Sequence, residues 1–220
     1  MRLLRLGVPL LAALCFWGAF SALPVQADQP DYSCVVYFTG ISCIRCKTVA
    51  SMVVEQLPRE YPNLVIIEYE MNKLKQNAPL LDEYSSSYDT QLQIPLIILN
   101  QEQQLVGNQT IEDNIRDTLN SLETNPCPLI DGTTQELSEL DLNALPGFPH
   151  LWHQEKILIK TEAGAGADSD LLKELLLGND PSDALEGTEF ALVESQDVLI
   201  AGGSVEFEHA ISIGNWRFQW

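Results

Sequence analysis

The sequence predicts an α/β chain, with a central mixed sheet flanked by helices, followed by a small β-rich α+β unit. Three observations carry this. Short apolar runs alternate with stretches of helical periodicity between residues 34 and 122. Strand-length patterns at closer spacing dominate residues 151–220, and a proline-containing acidic stretch separates the two regions. Alternating strands and helices are the mark of a layered α/β domain, whereas successive short strands indicate an antiparallel sheet. Hydrophobic residues make up 45% of the chain and charged ones 20%, which supports a packed core and excludes wholesale disorder.

Residues 34–38 (CVVYF) read as a short buried strand. The loop Thr39-Gly40-Ile41-Ser42 follows. A helix then runs from Cys43 to about Glu60, with Val49, Met52, Val53, Gln56 and Leu57 at helical spacing and Pro58 and Pro62 marking its end. Residues 64–71 (LVIIEYEM) form the second strand. Asn77-Ala78-Pro79 opens another helix with proline in its first turn, and Ser85-Ser86-Ser87 weakens its end. Residues 94–99 (IPLIIL) are the third strand, 100–104 a polar turn, and Leu105-Val106-Gly107 a fourth strand. Thr110 is placed to cap a helix over 111–122, with Asp113 completing a near capping box.

Residues 126–150 hold Pro126, Pro128, Pro146 and Pro149 around the acidic stretch 136–141, and read as a linker. Beyond it, 156–160 is a strand, 164–167 a flexible loop and 170–177 a short amphipathic helix. Strands are expected at 190–193, 198–201, 205–207 and 216–220, with Gly202-Gly203 as a hairpin turn. The expected division is a leader over 1–27, an α/β domain over 28–125, the linker, and the β-rich unit over 151–220. Trp152, Trp216, Phe218 and Trp220 read as packing residues.

The leader has an order of its own. Arg2 and Arg5 precede an apolar run over 10–20, and Val25-Gln26-Ala27 presents small residues where a signal peptidase reads them. The run falls short of the roughly 20 apolar residues that a span needs, and Pro24 breaks it. The expectation is cleavage after Ala27 and an exported chain, periplasmic or extracellular, with no stable membrane span. The alternative is an uncleaved anchor holding the domain outside the cytoplasm. Cys15 lies within the run and leaves with the leader.

The chain carries 31 acidic and 12 basic residues, a net charge of −19. Loss of Arg2 and Arg5 takes it to −21. Such a balance excludes a nucleic-acid binder, which needs a basic footprint, and disfavours docking to anionic lipid.

The strongest chemical signal is Cys43-Ile44-Arg45-Cys46, placed after a strand and at the start of a helix. A helix N-terminus presents unpaired N–H groups and a partial positive charge, which stabilise a thiolate. Arg45 adds positive charge and lowers the thiol pKa further. A spacing of three lets the second thiol reach the first. Cys43 is therefore expected to attack and Cys46 to resolve. The competing reading of such a pair is half of a zinc site. Zinc would need two more ligands from Cys34, Cys127, His150 or His153, none of which has a ribbon-like spacing, so no metal is expected. The pair His150 and His153 suits a metal only on a helix, and Pro149 with strand-like residues after it argues against one. Asn108-Gln109-Thr110 matches a glycosylation acceptor.

Residues 34–122 resemble the thioredoxin-like superfamily. The resemblance rests on Val35-Val36-Tyr37-Phe38 before the motif, on Cys43-Ile44-Arg45-Cys46-Lys47, on Val65-Ile66-Ile67-Glu68, and on Ile94-Pro95 opening the third strand. It implies a redox-active disulfide without further cofactor, and a cis Pro95 beside it that presents backbone to substrate and keeps metal off the thiols. It makes Arg45, Ile94 and Pro95 supporting residues. The chain departs from the pattern in three places. The family's buried aspartate falls at Tyr37, so its proton path is missing or passes to Glu68 or Glu70. The family's mid-helix proline falls near Ser51, which implies a straighter helix. The 49 positions from Cys46 to Pro95 imply an enlarged connection around 74–92. In the family's topology Cys34 and Cys127 lie together at the far end of the sheet, as a disulfide or as two free buried thiols.

These features lead to an exported thiol–disulfide oxidoreductase that exchanges disulfides with protein thiols and is recharged by a membrane redox partner. Its potential is expected above the roughly −270 mV of thioredoxin, on the order of −230 to −150 mV. The alternatives are a binding module with a structural disulfide, and a metal carrier using Cys43 and Cys46.

Overall fold

A computed structural model describes residues 31–122, 124–161, 164–178 and 185–195, and the backbone of four short strands beyond them. The expected leader, the Gly202-Gly203 turn and the aromatic end at Phe218 and Trp220 lie outside the described residues.

Strands β1 (Ser33–Thr39) and β2 (Leu64–Glu70) are parallel neighbours at the centre of a seven-stranded sheet. Both are buried on two faces, which explains their nearly continuous apolar sequences. Beyond β1 lie β3 (Leu96–Ile98) and β4 (Gln104–Val106), each antiparallel to its neighbour. Two short strands outside this sheet, β5 (Cys127–Pro128) and β6 (Thr134–Gln135), pair with each other. Beyond β2 lie β7 (His150–His153), β8 (Lys156–Lys160) and β9 (Phe190–Glu194), all antiparallel. The chain is thus α/β with a mixed central sheet and helices on both faces.

Side-chain alternation divides the core. Cys34, Val36, Phe38, Val65, Ile67 and Tyr69 face one side, where α3 (Ala78–Ser87) and α5 (Ser169–Leu177) pack. There Phe38 stacks on Tyr69 with centroids 5.3 Å apart and meets Tyr84 edge-on at 5.4 Å. Val35, Tyr37, Leu64 and Ile66 face the other side, against α1 (Ile44–Ser51) and α4 (Asn108–Asn120).

The helix after β1 continues past α1 through a π-helical segment, Met52–Gln56, into α2 (Leu57–Glu60). Pro58 lacks an N–H and cannot join an ordinary helical ladder. The wider turn, closed by Leu57 N donating to Met52 O, lets the helix pass the proline. The expectation of a plain helix therefore gives way to one carrying a local widening. Helix α4 starts three residues earlier than its sequence suggested. Thr110 does not cap it. Gly107, at φ 86°, turns the chain out of β4, and its carbonyl accepts from Ile111 N. Asp113 instead accepts from the Gln109 side chain.

The stretch 126–150, read as a linker, is built into the fold. Leu137, Leu140, Leu142 and Leu145 are buried in the same core as β1 and β2. Strand β7 then joins the central sheet directly, with Ile66 opposite Trp152 and Glu68 opposite His150. The structure therefore continues one sheet across the boundary expected near 150. Helix α5 is capped by Asp168, whose side chain accepts from Asp170 N and Leu171 N.

At the start of β1, Cys34 is joined to Cys127. Asn125 reinforces this end: its side chain donates to Cys34 O and Leu99 O, both at 2.7 Å. A closure of 93 positions removes much unfolded-chain entropy, about 4–5 kcal/mol as an upper guide. The Cys43–Cys46 bond closes only three positions. The paired variant Cys34→Ala, Cys127→Ala should lose about 2–5 kcal/mol of unfolding free energy in a denaturant titration. Cys43→Ala, Cys46→Ala should lose far less.

His153, at the end of β7, is buried and its Nδ1 lies 3.0 Å from Leu64 O. Burial lowers its pKa, the Leu64 carbonyl opposes that shift, and the nearby Lys156 charge adds to it. The native state thus favours the neutral ring. This contribution is complete above about pH 6.5, where the unfolded histidine is also neutral, and is lost as pH falls below it, because the unfolded chain then binds the proton more readily. Unfolding midpoints measured from pH 8 to 5 should fall more steeply for the parent chain than for His153→Asn.

Candidate functional site

The C-terminal ends of β1 and β2 meet at one end of the sheet, and the loops that leave them build the site. Cys43 is the N-cap residue of α1, with extended backbone at φ −86° and ψ 109°. Its Sγ accepts from Cys46 N at 3.0 Å, and the two sulfurs are bonded. Cys46 is fully buried, whereas Cys43 is partly exposed. The residues between them differ from both: Ile44 is 84% exposed, and Arg45 is exposed. Cys43 is thus the more accessible residue of the pair and Cys46 the less accessible.

The loop before the cysteines is held from beneath. Glu70, at the end of β2, is buried, and its carboxylate accepts four main-chain N–H groups. Oε1 takes Ile41 N at 3.0 Å and Asn72 N at 2.8 Å. Oε2 takes Lys73 N at 2.7 Å and Leu74 N at 2.9 Å. Gly40 lies against the Asn72 side chain, where an added Cβ would stand 2.9 Å from its nitrogen. Cys43 N donates to Gly40 O at 2.9 Å, which closes the turn into the helix.

Ile94-Pro95 is a cis peptide, as the resemblance implied. Phe38 pairs with Leu96, so Ile94 and Pro95 lie alongside the exit of β1 toward the cysteines. Pro95 is buried and Ile94 half-buried. Pro95 O accepts from Gly107 N at 2.8 Å, which ties the start of α4 to the same end of the sheet.

Tyr37 fills the position where the resemblance expects an aspartate. It is fully buried, and burial pushes its phenol far above its ordinary value, against a hydrogen bond with Thr39 and with the Glu68 charge adding to the rise. It keeps its proton at ordinary pH. Glu68 stands opposite Tyr37 in register. Its Oε2 accepts from Trp152 Nε1 at 2.7 Å and lies 3.2 Å from His150 Nδ1. The two glutamates thus do different work: Glu70 organises loops, and Glu68 belongs to a buried polar cluster completed by β7.

The histidines do not converge. On a strand, positions three apart face opposite sides, and His150 turns to Glu68 while His153 turns to Leu64 O. Among the described residues no group of three His, Cys, Asp or Glu side chains is arranged to hold a metal. Cys34 and Cys127 sit at the opposite end of β1, bonded to each other and remote from Cys43.

Sequence reading did not foresee the four bonds to Glu70 or the partners of Glu68. A signal was present, since two acidic residues interrupt the apolar strand LVIIEYE. Compared with known proteins, the chain matches no protein family, no curated protein and no solved structure.

Glu70→Ala leaves four main-chain donors without their acceptor. It should accelerate amide exchange at Ile41, Asn72, Lys73 and Leu74 and lower stability by more than about 2 kcal/mol, with little change at Asn125 and Cys34.

Proposed function

We propose that the chain is an exported, thioredoxin-like thiol–disulfide oxidoreductase working through Cys43 and Cys46. The observation that carries this is the pairing of a partly exposed Cys43 at a helix N-terminus with a buried Cys46 three residues on. The order of β1, the cysteine motif, α1, parallel β2 and a cis Ile94-Pro95 entering β3 supports the superfamily resemblance.

In the reducing direction the Cys43 thiolate attacks one sulfur of a substrate disulfide. A Cys43–substrate bond forms, the substrate S–S bond breaks, and one substrate sulfur leaves as thiolate. Cys46, as thiolate, then attacks Cys43 Sγ and expels the second substrate sulfur. Two electrons and two protons pass to the substrate, and Cys43–Cys46 becomes a disulfide. In reverse, a substrate dithiol is oxidised and the pair is reduced. A thiol–disulfide partner, membrane-bound or soluble, restores the starting state. The helix N-terminus and Arg45 stabilise the thiolate, which makes the disulfide the more oxidising.

The test is a glutathione redox titration of the chain without its leader, read by thiol alkylation and mass. A reversible two-electron couple is expected on the order of −230 to −150 mV, lost in Cys43→Ser. Cys46→Ala should accumulate a mixed disulfide with substrate, because nothing resolves it. A Cys43–Cys46 bond that stays closed across the glutathione range would overturn the reading in favour of a structural disulfide in a binding module.

A further inference from the structure

At the end of the sheet opposite the cysteines, a groove of about 720 Å³ runs between the residues that enter β1, the segment 136–138 and α5. The charged residues among those described that line it are Asp31, Glu136, Asp170 and Glu174 against Lys173. That one cation is already engaged: Lys173 Nζ lies 2.9 Å from Asp170 Oδ1 and donates to Ser138 O at 2.7 Å. The surrounding chain does not restore the balance. Segments 136–145 and 168–178 hold six acidic residues and one basic. The neighbouring stretches 28–30 and 179–184 add Asp28, Asp180 and Asp183 and no basic residue. Tyr32, Leu137 and Leu177 supply apolar surface between the carboxylates.

A second groove, of about 420 Å³, meets the first at Leu177 and Gly178, around the C-terminal end of α5. Its charged lining is Glu155 and Glu194 against Arg59 and Lys156. Lys156 is engaged as well, donating to Leu175 O at 3.0 Å and to Gly178 O, the last carbonyls of the helix. Over both grooves six carboxylates thus stand against three cations, two of them held by the protein's own groups.

An independent feature points to a ligand with donors. His153 lines the second groove and is 3% exposed, with the Tyr32 ring edge-on at 5.6 Å. Its Nδ1 lies 3.0 Å from Leu64 O. A carbonyl oxygen only accepts, so Nδ1 carries the ring proton and Nε2 of the neutral ring is an acceptor. Among the described residues no donor meets Nε2, although the rest of the ring is enclosed.

We propose that these joined grooves dock a basic polypeptide segment of a partner protein, with lysine or arginine side chains met by Asp31, Glu136 and Glu174, an apolar side chain against Tyr32 and Leu177, and a donor from the segment on His153 Nε2. Charge complementarity selects this occupant. A second copy of the chain, at net charge −19, does not fit it. The docking surface lies at the far end of β1 from Cys43, so it is independent of the exchange chemistry and leaves the cysteines open while a partner is held.

The test uses the chain without its leader and two labelled, cysteine-free peptides that alternate leucine with either lysine and arginine or glutamate, read by fluorescence anisotropy. At about 0.1 M salt, where the Debye length is about 10 Å, the basic peptide should bind at least roughly tenfold tighter than the acidic one. Glu136→Gln with Glu174→Gln should weaken it about tenfold. Glu112→Gln with Asp113→Asn, the same change of charge on α4, should leave it unchanged. His153→Asn, which keeps a donor for Leu64 O and removes the Nε2 acceptor, should weaken it as well. Amide shifts on binding should fall at Tyr32, Glu174 and Gly178 and spare Ile44 and Arg45. Equal binding of the two peptides, an equal loss in the two charge variants, or shifts confined to the cysteine end would overturn the proposal. Displacement of the basic peptide by an equal concentration of spermidine, which has the charge without apolar side chains, would overturn the polypeptide as occupant.

Discussion

An acidic group enclosed by protein is tolerated when its lone pairs are filled, and a carboxylate offers about four such sites. Glu70 fills all four with main-chain N–H groups drawn from two loops. Those loops leave parallel neighbouring strands, and the carboxylate acts as a common anchor for them beside the Met71 N to Thr39 O bond and the Gly40–Asn72 contact. The position of the cysteine pair depends on it. Ile41 is fixed by Glu70, Gly40 is pressed against Asn72, and Cys43 N closes onto Gly40 O before the helix begins. A shorter aspartate at this point in β2 would not reach both loops without pulling the strand end inward.

The sheet on which this anchor stands is wider than local patterns suggested. Residues 34–122 announced their strands and helices through apolar runs and helical spacing; β2 and β3 fall within the expected ranges, and β1 runs one residue past its range at each end. What the sequence could not express was adjacency. The strand HLWH carries no mark that it pairs with β2 some 80 residues earlier, because pairing is a tertiary choice. Proline and acidic composition made 126–150 look like a linker, yet its leucines at 137, 140, 142 and 145 are buried. Helix limits shifted for similar reasons: Gly107 at positive φ starts α4 early, and a π turn carries α1 toward Pro58.

The cysteine pair itself was legible, because its chemistry is local. Spacing, a preceding strand and a following helix are sequence features, and the split in exposure between Cys43 and Cys46 follows from helix geometry. Its supporting residues were legible only in part. Pro95 was found through the resemblance, whereas the separate tasks of Glu68 and Glu70 needed the register. Two residues apart on one strand, both side chains point to the same face. Glu70 stands at the strand end, within reach of loop amides. Glu68 stands two residues deeper, where β7 covers it with Trp152 and His150. A position on a strand, rather than residue type, separates them.

The two disulfides show the same principle at the scale of the whole fold. They occupy opposite ends of β1, and the strand between them is buried throughout. At its start, Cys34–Cys127 joins positions 93 apart, is fully buried and is braced by Asn125. Reducing it would free a long segment, so folding strongly favours the closed bond. At the far end, Cys43–Cys46 spans a single helical turn whose shape is already set by the capping bond to Cys46 N and by Glu70. Little chain freedom depends on whether that bond is open or closed. A disulfide whose opening barely perturbs the fold can cycle without unfolding its carrier, and β1 thus keeps the bond that stabilises the fold apart from the pair proposed to react.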